Sequence, residues 1–132
     1  KELNLNNISI LDTPAQKVLD NFSDNLFSKV FVLFPDPWMK NKQKKRRLLN
    51  YLFLEKILKK MRTKSTLIFA TDDQDYFNFV IKDVSLLRKK IDTFKYSLGN
   101  KHPIADTKYS NKANKLKKDI YFLNLDKLKN VA

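Results

Sequence analysis

The period of hydrophobic and polar positions changes several times along the chain. Asn7-Ile8-Ser9-Ile10-Leu11 alternates, which predicts a short strand. It runs into Asp12-Thr13-Pro14, where Thr13 can cap a helix and Pro14 can occupy its first position, so a helix is expected to about Phe22. Ser23-Asp24-Asn25 reads as a loop, and Lys29 to Phe34 is a nearly continuous run of β-branched and aromatic residues, the pattern of a central strand buried on both faces. The following Pro35-Asp36-Pro37-Trp38 cannot be helical, because each proline pushes its predecessor out of the α region. From Leu48 to Arg62, Glu55, Lys56, Lys59 and Lys60 lie on one stripe opposite Leu49, Leu52, Phe53, Ile57 and Met61, as in a helix packed on a sheet. Ser65 to Ala70 is the next buried strand, and Thr71-Asp72-Asp73 supplies oxygens to cap a helix from Gln74 to about Val84.

An order βαβαβα implies a mostly parallel, twisted sheet with helices on its faces. In such sheets ligands bind beyond the carboxyl ends of the strands. Asp12, Asp36 and Asp72 each follow one of these expected ends. From Arg88 onwards basic residues predominate, with an edge strand expected at Thr93 to Leu98, a long basic loop from Gly99 to Lys118 and a closing strand from Asp119 to Leu125. The organisation expected is a single domain, with the βαβαβα part at 1–88 and a basic substrate-binding flank at 89–132.

Composition narrows the chemistry. The 132 residues carry 27 Lys and Arg against 14 Asp and Glu, a net charge of +13, so a polyanion is the expected partner, nucleic acid first and an anionic membrane surface second. Cys 0 and a single histidine, His102, exclude zinc-thiolate sites and thiol nucleophiles and leave a serine-histidine triad or a bound metal without support. Gly99 is the one glycine, so no Gly-x-Gly phosphate or nucleotide loop can be written. The apolar runs fall far short of the roughly 20 residues that span a bilayer, and the polar opening has no signal-peptide core, which together suggest a soluble, cytoplasmic protein. The chain starts at Lys1 rather than Met, which suggests a piece of a longer polypeptide.

Two constellations stand out. A lone aspartate after a strand is usually a cap or turn former, but Asp36 has a proline on either side and a tryptophan two positions on, which holds the carboxylate in place at low entropic cost. Six of the eight positions from Lys40 to Arg47 are basic: Lys40, Lys42, Lys44, Lys45, Arg46 and Arg47. A solvated charge run or a nuclear localisation patch would look the same. Beside a rigid carboxylate at the mouth of a sheet, however, such a run suits phosphate neutralisation.

Phe34-Pro35-Asp36-Pro37-Trp38-Met39-Lys40 with Lys42 and Lys45-Arg46-Arg47-Leu48, then Phe69-Ala70-Thr71-Asp72, then Thr107-Lys108-Tyr109, resembles the bacterial tRNA (guanine-N7-)-methyltransferase family from about Ile8 to Leu125. The resemblance implies the carboxyl-terminal part of an α/β, Rossmann-like, three-layer class I methyltransferase that uses S-adenosylmethionine to methylate N7 of a guanine in the tRNA variable loop. By resemblance Asp36 is the catalytic carboxylate and also lies at the cofactor, and Asp12 matches an acid near the cofactor's adenine. Lys40, Asp72, Thr107, Lys108, Tyr109 and Ser110 match substrate contacts, and Lys42, Lys44, Lys45, Arg46 and Arg47 the RNA-binding loop. The family's amino-terminal strand and glycine loop have no counterpart here, so an upstream segment or a second chain is expected to complete the cofactor pocket. Ser110 stands where the family usually has Glu, Gln43 where His is common, and Met39 where Pro is frequent. Guanine N7 attacks through an in-plane lone pair and loses no proton, so a site without a histidine or cysteine base is chemically adequate. The alternative is a non-catalytic basic RNA-binding remnant of such an enzyme.

Overall fold

The computed structural model describes residues 6–99 and 119–130. In chain order the elements are α1 (Ala15–Val18), a 3-10 turn (Leu19–Asn21), β1 (Phe27–Leu33), a 3-10 helix (Asn41–Arg46), α2 (Tyr51–Lys60), β2 (Met61–Thr71), α3 (Gln74–Lys90), β3 (Phe94–Gly99) and β4 (Tyr121–Lys127). Both long helices start on a side-chain cap. Asn50 accepts from the Phe53 amide at 3.0 Å and Asp73 from the Tyr76 amide at 2.7 Å, each satisfying one of the donors a helix start leaves open.

The strands lie in the order β1-β2-β4-β3. β1 pairs with β2 in parallel, whereas β4 is antiparallel to both β2 and β3. Among the described residues the sheet is therefore mixed rather than mostly parallel. Register places Val32 beside Phe69 and Phe69 beside Leu123, with Val30, Leu67, Leu125 and Tyr96 in the neighbouring row. These rows share one face and form a single core with Phe53, Leu54, Ile57 and Leu58 of α2 and Tyr76, Phe77, Val80, Val84 and Leu87 of α3. Among the described residues α2 and α3 therefore pack on the same face of the sheet.

Several expectations are corrected. Residues 7–11 form no strand, and Ile8, Ile10 and Leu11 are exposed, since two isoleucines alternating with polar residues bring too little apolar surface to hold a strand in place. The Thr13 cap is not made: Pro14 takes the cap position without a side-chain hydrogen bond. β1 is an edge of the described sheet, not its centre, which leaves Phe31 46% exposed. On α2, Leu52 faces solvent at 72%, because the buried stripe runs through Phe53, Leu54, Ile57 and Leu58. β2 begins at Met61, directly after α2, and a bulge between the Phe27 and Lys29 pairings absorbs the extra residues, with Lys64 at φ 66°.

Candidate active site at the carboxyl ends of β1 and β2

Leu33 pairs with Ala70, so the parallel strands β1 and β2 end side by side, and the segments carrying Asp36 and Asp72 leave the sheet at the same edge. β3 ends and β4 begins at this edge too, since Gly99 pairs with Phe122 and Thr71 with Tyr121. Thr107, Lys108, Tyr109 and Ser110 lie outside the described residues.

The backbone around Asp36 is strained. Phe34 has φ 50° and Trp38 φ 44°, the left-handed region that bulky side chains rarely enter. Each such residue costs of the order of 1–3 kcal/mol and persists only where its surroundings hold it. Three contacts do so. The Phe34 amide donates to the Ala70 carbonyl at 2.8 Å, anchoring the loop to β2. The Trp38 amide donates to Asp36 Oδ1 at 3.1 Å, which orients the carboxylate. Arg47 Nε donates to the Pro37 carbonyl at 2.6 Å. Asp36 itself is exposed.

The basic run does not behave as one surface. Folded as a 3-10 helix, it leaves Lys40, Lys42, Lys45 and Arg46 exposed, and the Arg46 guanidinium sits 5.2 Å above the Trp38 ring. Lys44 is half-buried and pairs with Asp75 at 2.9 Å. Arg47 is fully buried, with Nη2 on Asp75 Oδ2 at 2.8 Å and its guanidinium carbon 4.9 Å from the ring centroids of both Tyr76 and Phe79. Its place among the RNA-contacting cations is therefore corrected: a guanidinium without solvent exposure cannot meet a phosphate. Asp75 is the residue sequence reasoning missed. Hydrogen bonds from Arg47 and then Lys44 hold its carboxyl below the usual carboxylate range.

Asp72 follows β2, and the capping of α3 falls to Asp73, whose amide donates to Thr71 Oγ1 at 3.1 Å. Asp12 is exposed and, with no strand before it, does not share the strand-end geometry of Asp36 and Asp72. Among the described residues no helix is long and apolar enough to cross a membrane, and no cluster of His, Cys, Asp or Glu could hold a metal ion.

A sheet with helices packed on it and an acid past a strand end fits a Rossmann-like α/β fold. The structure of an S-adenosylmethionine-dependent methyltransferase from Archaeoglobus fulgidus shares the fold, with a TM-score of 0.56 at 11% identity over 92% of this chain and 68% of that one. The model of the family described as "Putative methyltransferase" matches residues 1–123, and the chain belongs to this family. A relative from Wolbachia pipientis wMel, named tRNA (guanine-N(7)-)-methyltransferase, is 33% identical over 97% of this chain and 56% of its own length. A relative of the same name from Buchnera aphidicola is 36% identical over 71% of this chain and 44% of its own length. The chain thus spans about half the length of these curated relatives.

Proposed function

We propose that the chain is part of an enzyme that transfers the methyl group of S-adenosylmethionine to N7 of a guanine in the variable loop of tRNA, in the cytoplasm. The observation that carries this reading is an exposed carboxylate, Asp36, fixed by a strained loop and bordered by the exposed cations Lys40, Lys42, Lys45 and Arg46. Names of relatives that cover most of this chain support it.

When bound, the cofactor supplies an electrophilic methyl on a sulfonium. Asp36 suits that group, since a carboxylate at the mouth of the sheet complements a positive charge. The described residues hold no glycine loop to cradle the rest of the cofactor. An upstream segment, or failing that a second chain, supplies the remainder of the pocket. Supporting this, β1 leaves one strand edge open among the described residues, and an apolar groove of about 420 Å³ runs beside it, lined in part by Ala15, Leu19, Phe27, Leu48 and Phe53. Asp12 is retained as a second contact for the cofactor.

No proton needs to leave N7 before it attacks, so the work of this chain's residues is orientation and charge. Asp36 accepts a hydrogen bond from the amino edge of the guanine and stabilises the positive charge that grows on the ring, a preorganised interaction worth most at the transition state. The oxygen held by the Trp38 amide keeps the carboxylate turned to that task. Lys40, Asp72 and the segment Thr107-Lys108-Tyr109-Ser110 position the nucleotide, and Lys42, Lys45 and Arg46 grip the phosphates around it.

The test is methyl transfer from tritiated S-adenosylmethionine to unmodified tRNA, by this chain alone and by the chain extended upstream, with the labelled base located by cleavage at N7-methylguanosine. Label on a variable-loop guanine is expected with the extended polypeptide. Salt-sensitive tRNA binding with no transfer by either would favour an RNA-binding remnant instead.

A further inference from the structure

Arg47 is the largest fully buried side chain in the described structure, and its cationic head is not fully satisfied. Nε is taken by the Pro37 carbonyl and Nη2 by Asp75, but Nη1 is buried with no hydrogen-bond partner among the described residues. An incompletely paired buried charge is costly, and an apolar side chain of similar size would fill the space between Tyr76 and Phe79 without that cost. Core packing therefore does not explain an arginine here.

The contacts do. Pro37 is the residue after Asp36, and its carbonyl has the amide of Trp38 on the other side of the same peptide group, the amide that orients Asp36 Oδ1. At its other end the guanidinium is fixed to the first two turns of α3 through Asp75 and the rings of Tyr76 and Phe79. The Arg47 carbonyl accepts from Asn50 Nδ2 at 3.0 Å, which joins the same residue to the cap of α2, and the Tyr76 hydroxyl accepts from the Leu49 amide at 2.9 Å. One residue thus ties the loop that carries the carboxylate to the starts of both long helices, through its side chain to α3 and through its carbonyl to the cap of α2.

We infer that Arg47 is a positioning residue for methyl transfer: its guanidinium clamps the Pro37 carbonyl against the start of α3 and so sets the orientation of the Asp36 carboxylate, while making no contact with RNA. The role rests on the methyltransferase reading, but the clamp itself does not. Trp38 is the one tryptophan of the chain, so its fluorescence reports the loop whether or not any methyl group is transferred.

The experiment compares wild type with Arg47→Met, which keeps the bulk, Arg47→Lys, which keeps the charge but loses the fork, and Asp75→Ala. Acrylamide quenching of Trp38 should rise about twofold or more in Arg47→Met and partly in the other two. In the extended polypeptide kcat should fall about 10²-fold in Arg47→Met, as for a small misplacement of a catalytic group, with KM for tRNA and the salt dependence of tRNA binding unchanged. Arg47→Lys should recover part of kcat. Should Arg47→Met fail to fold, Arg47→Lys decides, because it keeps a cation beside Asp75 while losing the fork that reaches the Pro37 carbonyl. Unchanged Trp38 quenching in the folded variants would overturn the clamp. Raised quenching with unchanged kcat would overturn the positioning role. A raised KM with a flatter salt slope at constant kcat would mean that Arg47 meets phosphate after all. Absence of transfer by the wild type would sink the methyltransferase reading while leaving the quenching result to judge the clamp.

Discussion

Replacing Lys42, Lys45 and Arg46 together with alanine separates the cations that can meet RNA from those the fold has already used. The three are exposed, whereas Lys44 and Arg47 are committed to Asp75 at 2.9 and 2.8 Å. Each phosphate contact adds about 0.7 to 0.9 to the slope of log affinity against log salt, through released counterions, so losing three should flatten the slope by about 2 to 2.7. Between about 50 and 200 mM salt the triple variant should lose about 20- to 40-fold less affinity for tRNA than the wild type. Lys44→Ala alone should leave the slope unchanged. Fluorescence anisotropy with labelled tRNA at several salt concentrations reads both. An unaltered slope in the triple variant, or an equal change from Lys44→Ala, would refute the division of the basic run into a solvent-facing and an inward-facing set.

Asp73→Ala should destabilise the fold by about 1 kcal/mol, the usual cost of a lost helix cap, measured by urea denaturation; no loss would mean that Thr71 takes over the cap. Lys127→Met should cost about 1–3 kcal/mol, because Lys127 Nζ donates to the carbonyls of Leu58 and Met61 at 2.6 and 2.7 Å where α2 ends, and a neutral effect in thermal unfolding would show those bonds to be worthless. Asp75 titrates below its ordinary value of 3.8, so the stability it contributes is complete above that value and is lost as pH falls through the lower folded one. The stability difference between wild type and Asp75→Asn should accordingly be constant from neutral pH down to about 4 and shrink below it; a difference that grows on acidification would contradict the assigned ion pairs.

Much of the fold was legible because its signals were local. The β-branched run before Phe34, the caps at Thr71-Asp72-Asp73, the helix expected from Leu48 to Arg62 and found at Tyr51–Lys60, and the edge strand after Thr93 all declare themselves within a few residues. The stiffness of Pro35-Asp36-Pro37 was legible too, and the structure adds the left-handed residues that flank it. What could not be read was which charges turn inward. Arg46 and Arg47 are adjacent and chemically alike, and only the turn of the 3-10 helix and the location of Asp75, far along the chain, assign one to Trp38 and the other to the interior. Lys127 did carry a signal. Leu123, Leu125 and Lys127 share one face of β4 by simple alternation, which places a lysine on the core side and calls for the carbonyl partners it finds. The alternation at Ile8 and Ile10 misled for the opposite reason, since a period of two over so few residues does not specify a partner strand.

The most direct measurement is the single-turnover rate of methyl transfer to tRNA by the extended polypeptide with Asp36→Asn, which keeps the shape and one acceptor oxygen for the Trp38 amide and removes the charge. A fall of about 10²- to 10³-fold with tRNA affinity unchanged is expected if the fixed carboxylate stabilises charge on the guanine. A rate equal to that of the wild type would show that Asp36 has no part in the reaction.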